Sequence, residues 1–429
     1  MNVLKHKDKD FVERLLTMAE AQPLFDEAID RKVKGILKAV KKEGDKALVR
    51  FAKKFDGVNF AERDLFVSIP NLDNASWRTT EDVHEALDFA HRNIEAFHRA
   101  GLRKAWQGRN EQGAKVGEKY DPYRRVGVYI PGGTAPLVST ALMTITLAKV
   151  AGCRQICVCT PPGKDGRIND HLVHACRMAG AWEIYKVGGA QAIAAMAYGT
   201  RIIKPVQKIF GPGNAYVVAA KRLLFGRVSI DLLPGPSELL VLADEKANAK
   251  FVAADMLAQA EHGSGHERCW LVTPSGRLLR AVEREIQKQL PKLSRRCFID
   301  KALKNAWLIQ VANINDAVEL TNDLAPEHCE VMVERPKSVV RDIVTAGAIF
   351  VGSWSPTVLG DYVAGPSHTL PTGGAGRSFA GLTVDQFQRR TSVVEYSKAA
   401  LKKSLAAVEK IAGMEGLDAH GRSASIRLG

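Results

Sequence analysis

The chain has 429 residues, 46% of them hydrophobic, 25% charged and 7% aromatic. At about 150 residues per domain, that length holds roughly two or three domains. The composition excludes a collagen-like, low-complexity or wholly disordered chain, and no window approaches the roughly 18 unbroken apolar residues of a membrane span. The first 20 residues mix Lys5, Lys7, Asp8, Lys9 and Asp10 and lack the apolar core of a secretory signal. The chain carries 61 Lys and Arg against 47 Asp and Glu, a formal charge of +14. Such an excess invites a nucleic-acid reading. It is spread, however, over stretches such as Lys34, Lys38, Lys41 and Lys42, or Lys398, Lys402 and Lys403, with no nucleic-acid-binding motif beside them. These read as solvated helix faces. The odd set of seven cysteines, Cys153, Cys157, Cys159, Cys176, Cys269, Cys297 and Cys329, lies mostly in apolar runs. It reads as buried thiols in a reducing, cytoplasmic compartment. Cys157 and Cys159 share a strand face, but no second Cys or His pair completes a zinc site with them.

The first hundred residues read as helical. Phe11, Leu15, Leu16 and Met18 are spaced for a short amphipathic helix, and Ile36, Leu37, Val40 and Leu48 for a longer one, with breaks at Gly44 and Gly57. A further helix runs from about Glu81 to Gly101, with Thr79 and Thr80 before it as caps. It carries His84, His91 and His98 in one stripe, too far apart for a shared metal and read as partly exposed. Near Arg124 the texture changes. Strands are predicted at 126–130, 156–160, 184–187, 208–210 and 229–233, and helices at 135–150, 172–179, 190–198 and 215–225. After the turn Pro234-Gly235-Pro236, strands follow at 239–242, 270–272, 308–311, 331–333 and 348–351, with a helix at 249–260. This β-α alternation predicts parallel sheets covered by helices. An amphipathic helical tail spans about 397–417.

Three glycine-rich turns follow predicted strands: Gly132-Gly133-Thr134, Gly188-Gly189-Ala190-Gln191 and Gly211-Pro212-Gly213-Asn214. Glycine at a strand's carboxyl end lets a ligand approach the backbone, and the next helix N-terminus offers free N–H groups to phosphate. None is the G-x-G-x-x-G fingerprint. Each alone is ordinary punctuation; three at successive strand ends favour a nucleotide or another anion. Gln259-Ala-Glu261-His262 closes the 249–260 helix with two polar side chains on one face. On residue type alone its metal candidates are His262 and Glu261, and the alternative is a polar helix end in solvent. Ala325-Pro-Glu327-His328 sets a carboxylate beside an imidazole, a possible base and water activator. Carboxylate and imidazole recur together in Gly360-Asp361-Tyr-Val-Ala-Gly-Pro-Ser-His368 and in Glu415-Gly-Leu-Asp-Ala-His420.

Taken together these blocks resemble the histidinol dehydrogenase family. The matching stretches are Val-Tyr129-Ile-Pro-Gly-Gly-Thr-Ala-Pro, Val-Gly-Gly-Ala-Gln191-Ala-Ile-Ala-Ala, Gly-Pro-Gly-Asn214, Gly-Pro-Ser237-Glu, Gln259-Ala-Glu-His262, Ala-Pro-Glu327-His328, Gly-Asp361-Tyr, Gly-Pro-Ser-His368 and Glu415-Gly-Leu-Asp-Ala-His420. The resemblance runs from about Arg124 to His420 and is looser before that. It implies a zinc- and NAD-dependent oxidation of L-histidinol to L-histidine through L-histidinaldehyde, the last steps of histidine biosynthesis. By residue-to-residue match, zinc falls to Gln259, His262, Asp361 and His420, which displaces Glu261. Substrate contacts fall to Ser237, Gln259, His262, His328, Asp361, Glu415 and His420 with His368 nearby, NAD to Tyr129, Gln191 and Asn214, and catalysis to Glu327 and His328. The implied fold is α/β, with two incomplete Rossmann-like domains of parallel sheet and small helical arms. Its expected division is an arm at 1–22, a first α/β domain at 23–125 and 237–380, a second at 126–236, and a helical arm at 381–429. The implied assembly is a homodimer with shared active sites and neither nucleic acid nor membrane as partner. The sequence departs from the family pattern at Pro234, Gly263 and Gly376, none of them a matched site position.

Overall fold

The alternating runs after position 124 form two parallel sheets, each buried on both faces, in the computed structural model of the chain. It describes residues 1–19, 26–132 and 136–429. The turn residues 133–135, including the predicted start of the 135–150 helix, lie outside the described residues, as does the boundary at 22.

The first sheet has five strands in the order Glu183–Lys186, Gln155–Thr160, Arg125–Tyr129, Lys208–Phe210 and Ser229–Ile230, all parallel. The period of two along a strand sends Val126, Val128, Ile156 and Val158 into one core with the helices Val138–Ala151 and Asp170–Met178. Tyr129, Cys157 and Cys159 point to the other core, beneath the helices Gly189–Tyr198 and Ala215–Leu224. The second sheet has six strands in the order Asn2–Lys5, Trp307–Gln310, Arg268–Thr273, Glu238–Ala243, His328–Met332 and Ala348–Val351, again all parallel. Leu239, Val241, Cys269 and Leu271 pack beneath the helices Ala249–Ala260 and Gly276–Gln289. Leu240, Leu242, Trp270 and Val331 form the opposite core. All seven cysteines are free thiols, and six are buried.

The early helices do not join the six-stranded unit, as the expected grouping of 23–125 with 237–380 has it. Asp26 caps the helix Glu27–Glu43 by accepting from the N–H groups of Ala28 and Ile29. That helix buries Val33, Ile36, Leu37 and Val40 on the five-stranded sheet. The helices Ile69–Arg78 and Glu81–Ala100 cover the sheet's other face through Leu72, Ala75, Ala90 and Ile94. Their apolar stripes meet the sheet that follows directly in the chain. Only the first residues cross over: Asn2–Lys5 is an edge strand of the six-stranded sheet, and Met18 of the helix Phe11–Ala19 enters its core. The start of the chain is therefore a strand and a helix built into that unit, not a helical arm.

The histidine stripe also needs correction. His98 is 1% exposed, and burial pushes its imidazole down to about 4. A straight helix drifts about 20° per heptad, which carries the last of three such positions inward. The C-terminal segment is only partly helical. Gln388–Glu395 pairs antiparallel with Lys115–Pro122, which pairs with Trp106–Arg109 in a three-stranded sheet. The helices Lys398–Met414 and Asp418–Ser425 follow.

Candidate active site

Two rims of opposite chemistry carry the predicted site residues. The first lies at the carboxyl ends of the five-stranded sheet. Tyr129 ends its strand 3% exposed, and its Oη accepts the Gly189 N–H at 2.9 Å; burial pushes the phenol up to about 12. Gly189, at φ +65°, opens the helix that carries buried Gln191. Gly211 follows the Lys208–Phe210 strand at φ +111°, and a Cβ there would lie 2.0 Å from the Tyr129 carbonyl oxygen. Only glycine fits that contact. Asn214 caps the next helix by accepting from the N–H groups of Tyr216 and Val217 at 3.1 and 3.2 Å. Tyr129, Gln191 and Asn214 line one cavity of about 1560 Å³, which Lys32, Arg50, Lys54, Lys164 and Arg167 also border. Helix N-termini among cations suit a phosphate-bearing ligand.

The second rim lies at the amino ends of the six-stranded sheet. Ser237 directly precedes the Glu238–Ala243 strand, and Glu327 directly precedes the His328–Met332 strand. Pairing of these two strands therefore brings the serine and both catalytic candidates together. The Ser237 hydroxyl donates to Glu327 Oε2 at 2.5 Å, and the Glu238 N–H donates to the same oxygen at 2.8 Å. Burial dominates these bonds and pushes the Glu327 carboxyl up to about 8; it also pushes Glu238 up to about 7, helped by the neighbouring Glu327 charge. His328 Nδ1 lies 2.9 Å from the Glu238 carbonyl. A carbonyl only accepts, so Nδ1 carries the proton and Nε2 keeps its lone pair. Burial holds this imidazole below its ordinary value, hence neutral, with Nε2 3.8 Å from Asp361 Oδ1. The turn before it holds Ala325 at φ 46°, the one non-glycine residue with positive φ among those described.

Asp361 lies on the short helix Thr357–Tyr362, and its Oδ1 is 3.9 Å from His368 Nδ1. His368 Nε2 reaches Thr140 Oγ1 at 3.1 Å, a contact between the two units, and burial pushes this imidazole down to about 4. Gln259 is 4% exposed at the end of the Ala249–Ala260 helix, with its Nε2 buried and unpartnered. His262 follows on an exposed turn, where its charge acts on both Glu327 and His368.

The structure thus gathers Ser237, Glu327, His328, Asp361 and His368, with Gln259 and His262 at the adjoining helix end. It does not bring Glu415 or His420 to them within one chain. Both are exposed on the C-terminal helices, and His420 lines a separate cleft with Tyr396, Lys398 and Arg427. Among the described residues no three His, Cys, Asp or Glu side chains are grouped to hold a metal. A set of one amide, one imidazole and one carboxylate donor suits a borderline cation such as zinc but leaves one position to fill. Sequence reasoning gave no role to Thr140, Glu238, Glu330 or Lys221. Lys221 did leave a signal, a cation that follows the apolar run Val217–Ala220 in its helix.

One α/β unit with a glycine-lined cavity, in contact through Thr140 and His368 with a second unit that carries a buried Glu–His pair, suits a dehydrogenase. An acetylating aldehyde dehydrogenase from Geobacillus thermoglucosidasius shares the fold at a TM-score of 0.50 and 16% identity, over 91% of this chain and 99% of that one. The Histidinol dehydrogenase family model matches residues 20–428. Histidinol dehydrogenase from a Synechococcus strain is 44% identical, over 96% of this chain and 97% of that protein. The Aquifex aeolicus enzyme of that name is 42% identical, over 99% and 98%. The crystal structure of histidinol dehydrogenase from Elizabethkingia anophelis superposes with a TM-score of 0.95 at 35% identity, over 100% and 98% of the two chains. The chain belongs to the histidinol dehydrogenase family.

Proposed function

We propose that this chain oxidises L-histidinol to L-histidine in the cytoplasm, with NAD as acceptor, zinc as bound metal and L-histidinaldehyde between two hydride transfers. The observation that carries this reading is the pairing of the two amino-terminal strand ends. It seats a neutral imidazole and a high-pKa carboxyl side by side on one unit, while the other unit opens on a cofactor-sized cavity.

His328 Nε2 takes the hydroxyl proton as hydride leaves the carbinol carbon, and the Glu238 carbonyl fixes the required tautomer. The second oxidation consumes a hydrated aldehyde. Glu327, oriented by Ser237 and the Glu238 N–H, activates that water; its pKa of about 8 allows proton exchange near neutrality. Tyr129, Gln191 and Asn214 would hold NAD, which would supply the hydride acceptor. Gln259, His262, Asp361 and His420 would hold zinc, which would supply a Lewis-acidic anchor for the substrate and no redox chemistry. Within one chain His420 and Glu415 stand apart from the other site residues. Their delivery by a second copy, with His368 beside the substrate, completes the site. The apolar side chains of Val394, Ile411, Met414 and Ile426, exposed on that arm, support such docking.

The test follows NADH formation with L-histidinol before and after chelation and zinc return. Loss on chelation and recovery with zinc are expected. Full activity in protein shown by elemental analysis to be metal-free refutes the zinc assignment, and no NADH from L-histidinol in zinc-loaded protein refutes the reaction.

A further inference from the structure

The buried ion pair Lys221–Asp231 lies outside every residue given a role above. Lys221 stands in the Ala215–Leu224 helix, and Asp231 just follows the edge strand Ser229–Ile230. Their side chains are 1% and 0% exposed. Both converge on the backbone of one residue, in the peptide units before and after it: Lys221 Nζ donates to the Gly211 carbonyl at 3.0 Å, and Asp231 Oδ2 accepts the Gly211 N–H at 2.7 Å. The second carboxylate oxygen of Asp231 takes another Nζ proton, closing the ring of contacts.

Stability alone is a poor reason for this pair. Removing two charges from water costs several kcal/mol per ion, and well-packed apolar replacements are often as stable or more so. Its target gives a better one. Gly211 must hold φ +111° and stay close against the Tyr129 carbonyl, because the turn it opens ends at Asn214 on the cavity wall. A glycine free of side-chain restraint has the widest choice of conformations, so an outside clamp is needed to select one. The pair supplies a donor and an acceptor in fixed geometry, and neither residue lines the cavity.

We infer that Lys221 and Asp231 are positioning residues for dinucleotide binding: they lock the backbone on both sides of the Gly211 Cα, and through it the turn 211–214, in the conformation that receives the cofactor. This rests on the cofactor reading above. The clamp pre-orders the turn, so losing it transfers an ordering cost to the binding step. It acts on the dinucleotide side only and leaves the Glu327–His328 rim untouched.

Asp231→Ala alone strands a buried ammonium and can fail to fold. The informative variant is therefore the double change Lys221→Met with Asp231→Leu, which removes both contacts to Gly211 and leaves no buried charge. Calorimetric titration with NADH on the zinc-loaded enzyme, thermal unfolding and steady-state kinetics are compared with the parent. The expected result is a native melting profile, a Kd for NADH and a KM for NAD raised about ten-fold or more, and a KM for L-histidinol unchanged. A purely structural role would move the melting temperature and leave that split absent. Parent-like NADH affinity in the folded double variant, or equal rises in both KM values, overturns the inference. Failure of the parent chain to bind NADH overturns the cofactor reading and this inference together.

Discussion

The two sheets carry their candidate site residues at opposite ends, and the chemistry of those ends differs accordingly. At the carboxyl ends of the five-stranded sheet the strands deliver backbone: glycine turns, helix N-termini and an Asn cap, all positive or neutral and suited to an anion. At the amino ends of the six-stranded sheet the helices arrive by their C-termini, as the Ala249–Ala260 helix does at Gln259. That end of a helix dipole favours a cation, and the strands there contribute their first side chains, Glu238 and His328. Ligands of open α/β sheets usually sit at carboxyl ends. One unit follows that rule and the other reverses it, so backbone suited to an anion lies on one sheet and side chains suited to a cation on the other.

The largest expected effect separates the rims directly. His328→Ala should lower kcat about 10²- to 10⁴-fold, the usual contribution of a general base, while Kd for NADH at the opposite rim stays at the parent value. Glu327→Gln should slow oxidation of supplied histidinaldehyde more than oxidation of histidinol. A normal aldehyde rate removes Glu327 from the water-activating role.

Next, the amino-end rim should need a second chain whereas the carboxyl-end rim does not. Co-refolding His420→Ala with His328→Ala should restore about a quarter of parent activity, because random pairing leaves one undamaged site in each heterodimer. NADH affinity should be unchanged throughout. No recovery despite proven subunit exchange means that each chain supplies its own His420.

A third, smaller effect concerns support for the amino-end rim. Asp255, one turn before Gln259, meets Glu330, which follows His328 on the same strand face. Glu330 Oε1 also accepts the Thr357 N–H at 2.8 Å, at the start of the helix bearing Asp361. Burial pushes both carboxyls up, and the Asp255 charge pushes Glu330 further. For groups raised on folding, the stabilisation is complete below the ordinary carboxylate range and is lost as pH rises through the folded values. The melting temperature should therefore fall as pH is raised through neutrality, and Glu330→Gln should flatten that slope. An unchanged slope would assign the pH dependence to other groups.

The smallest effect is local. Ala325 holds a left-handed conformation that costs a side-chain-bearing residue about 1–2 kcal/mol. Part of this returns as unfolded-state entropy when glycine replaces it. Ala325→Gly should thus raise stability by up to about 1 kcal/mol in denaturant titration. A loss of stability would mean that the alanine methyl packs for more than its strain.

The alternation of apolar runs made both sheets legible in the sequence. The 249–260 helix and the 208–210 and 348–351 strands fell where the pattern set them. The misplacements share a cause. Asn2–Lys5 has too few residues for periodicity to register, and its partner strand Trp307–Gln310 is remote in sequence. His328 begins a strand expected only at 331–333, because a polar Glu–His–Cys–Glu run hides its alternation. Motif identity supplied the candidate site residues, but no periodicity could tell that Ser237, Glu327 and His328 meet at amino ends, since that depends on which strands pair. The pairings Lys221–Asp231 and Asp255–Glu330 were hidden for the same reason: burial and proximity are tertiary facts.

The strand Asn2–Lys5 has one more consequence, for the order of assembly on the ribosome. Its ladder partner among the described residues lies roughly 300 residues further along the chain. At about 5–20 residues per second, some 15–60 s of synthesis separate the emergence of the two. The whole five-stranded unit is translated within that interval and can close around its own cores first. Throughout it, Asn2–Lys5 is a nascent strand with open hydrogen-bonding edges, the kind of segment that pairs with the wrong neighbour. Its end runs into the charged stretch Lys5, Lys7, Asp8, Lys9 and Asp10. Charges that flank a β-prone segment oppose such mispairing.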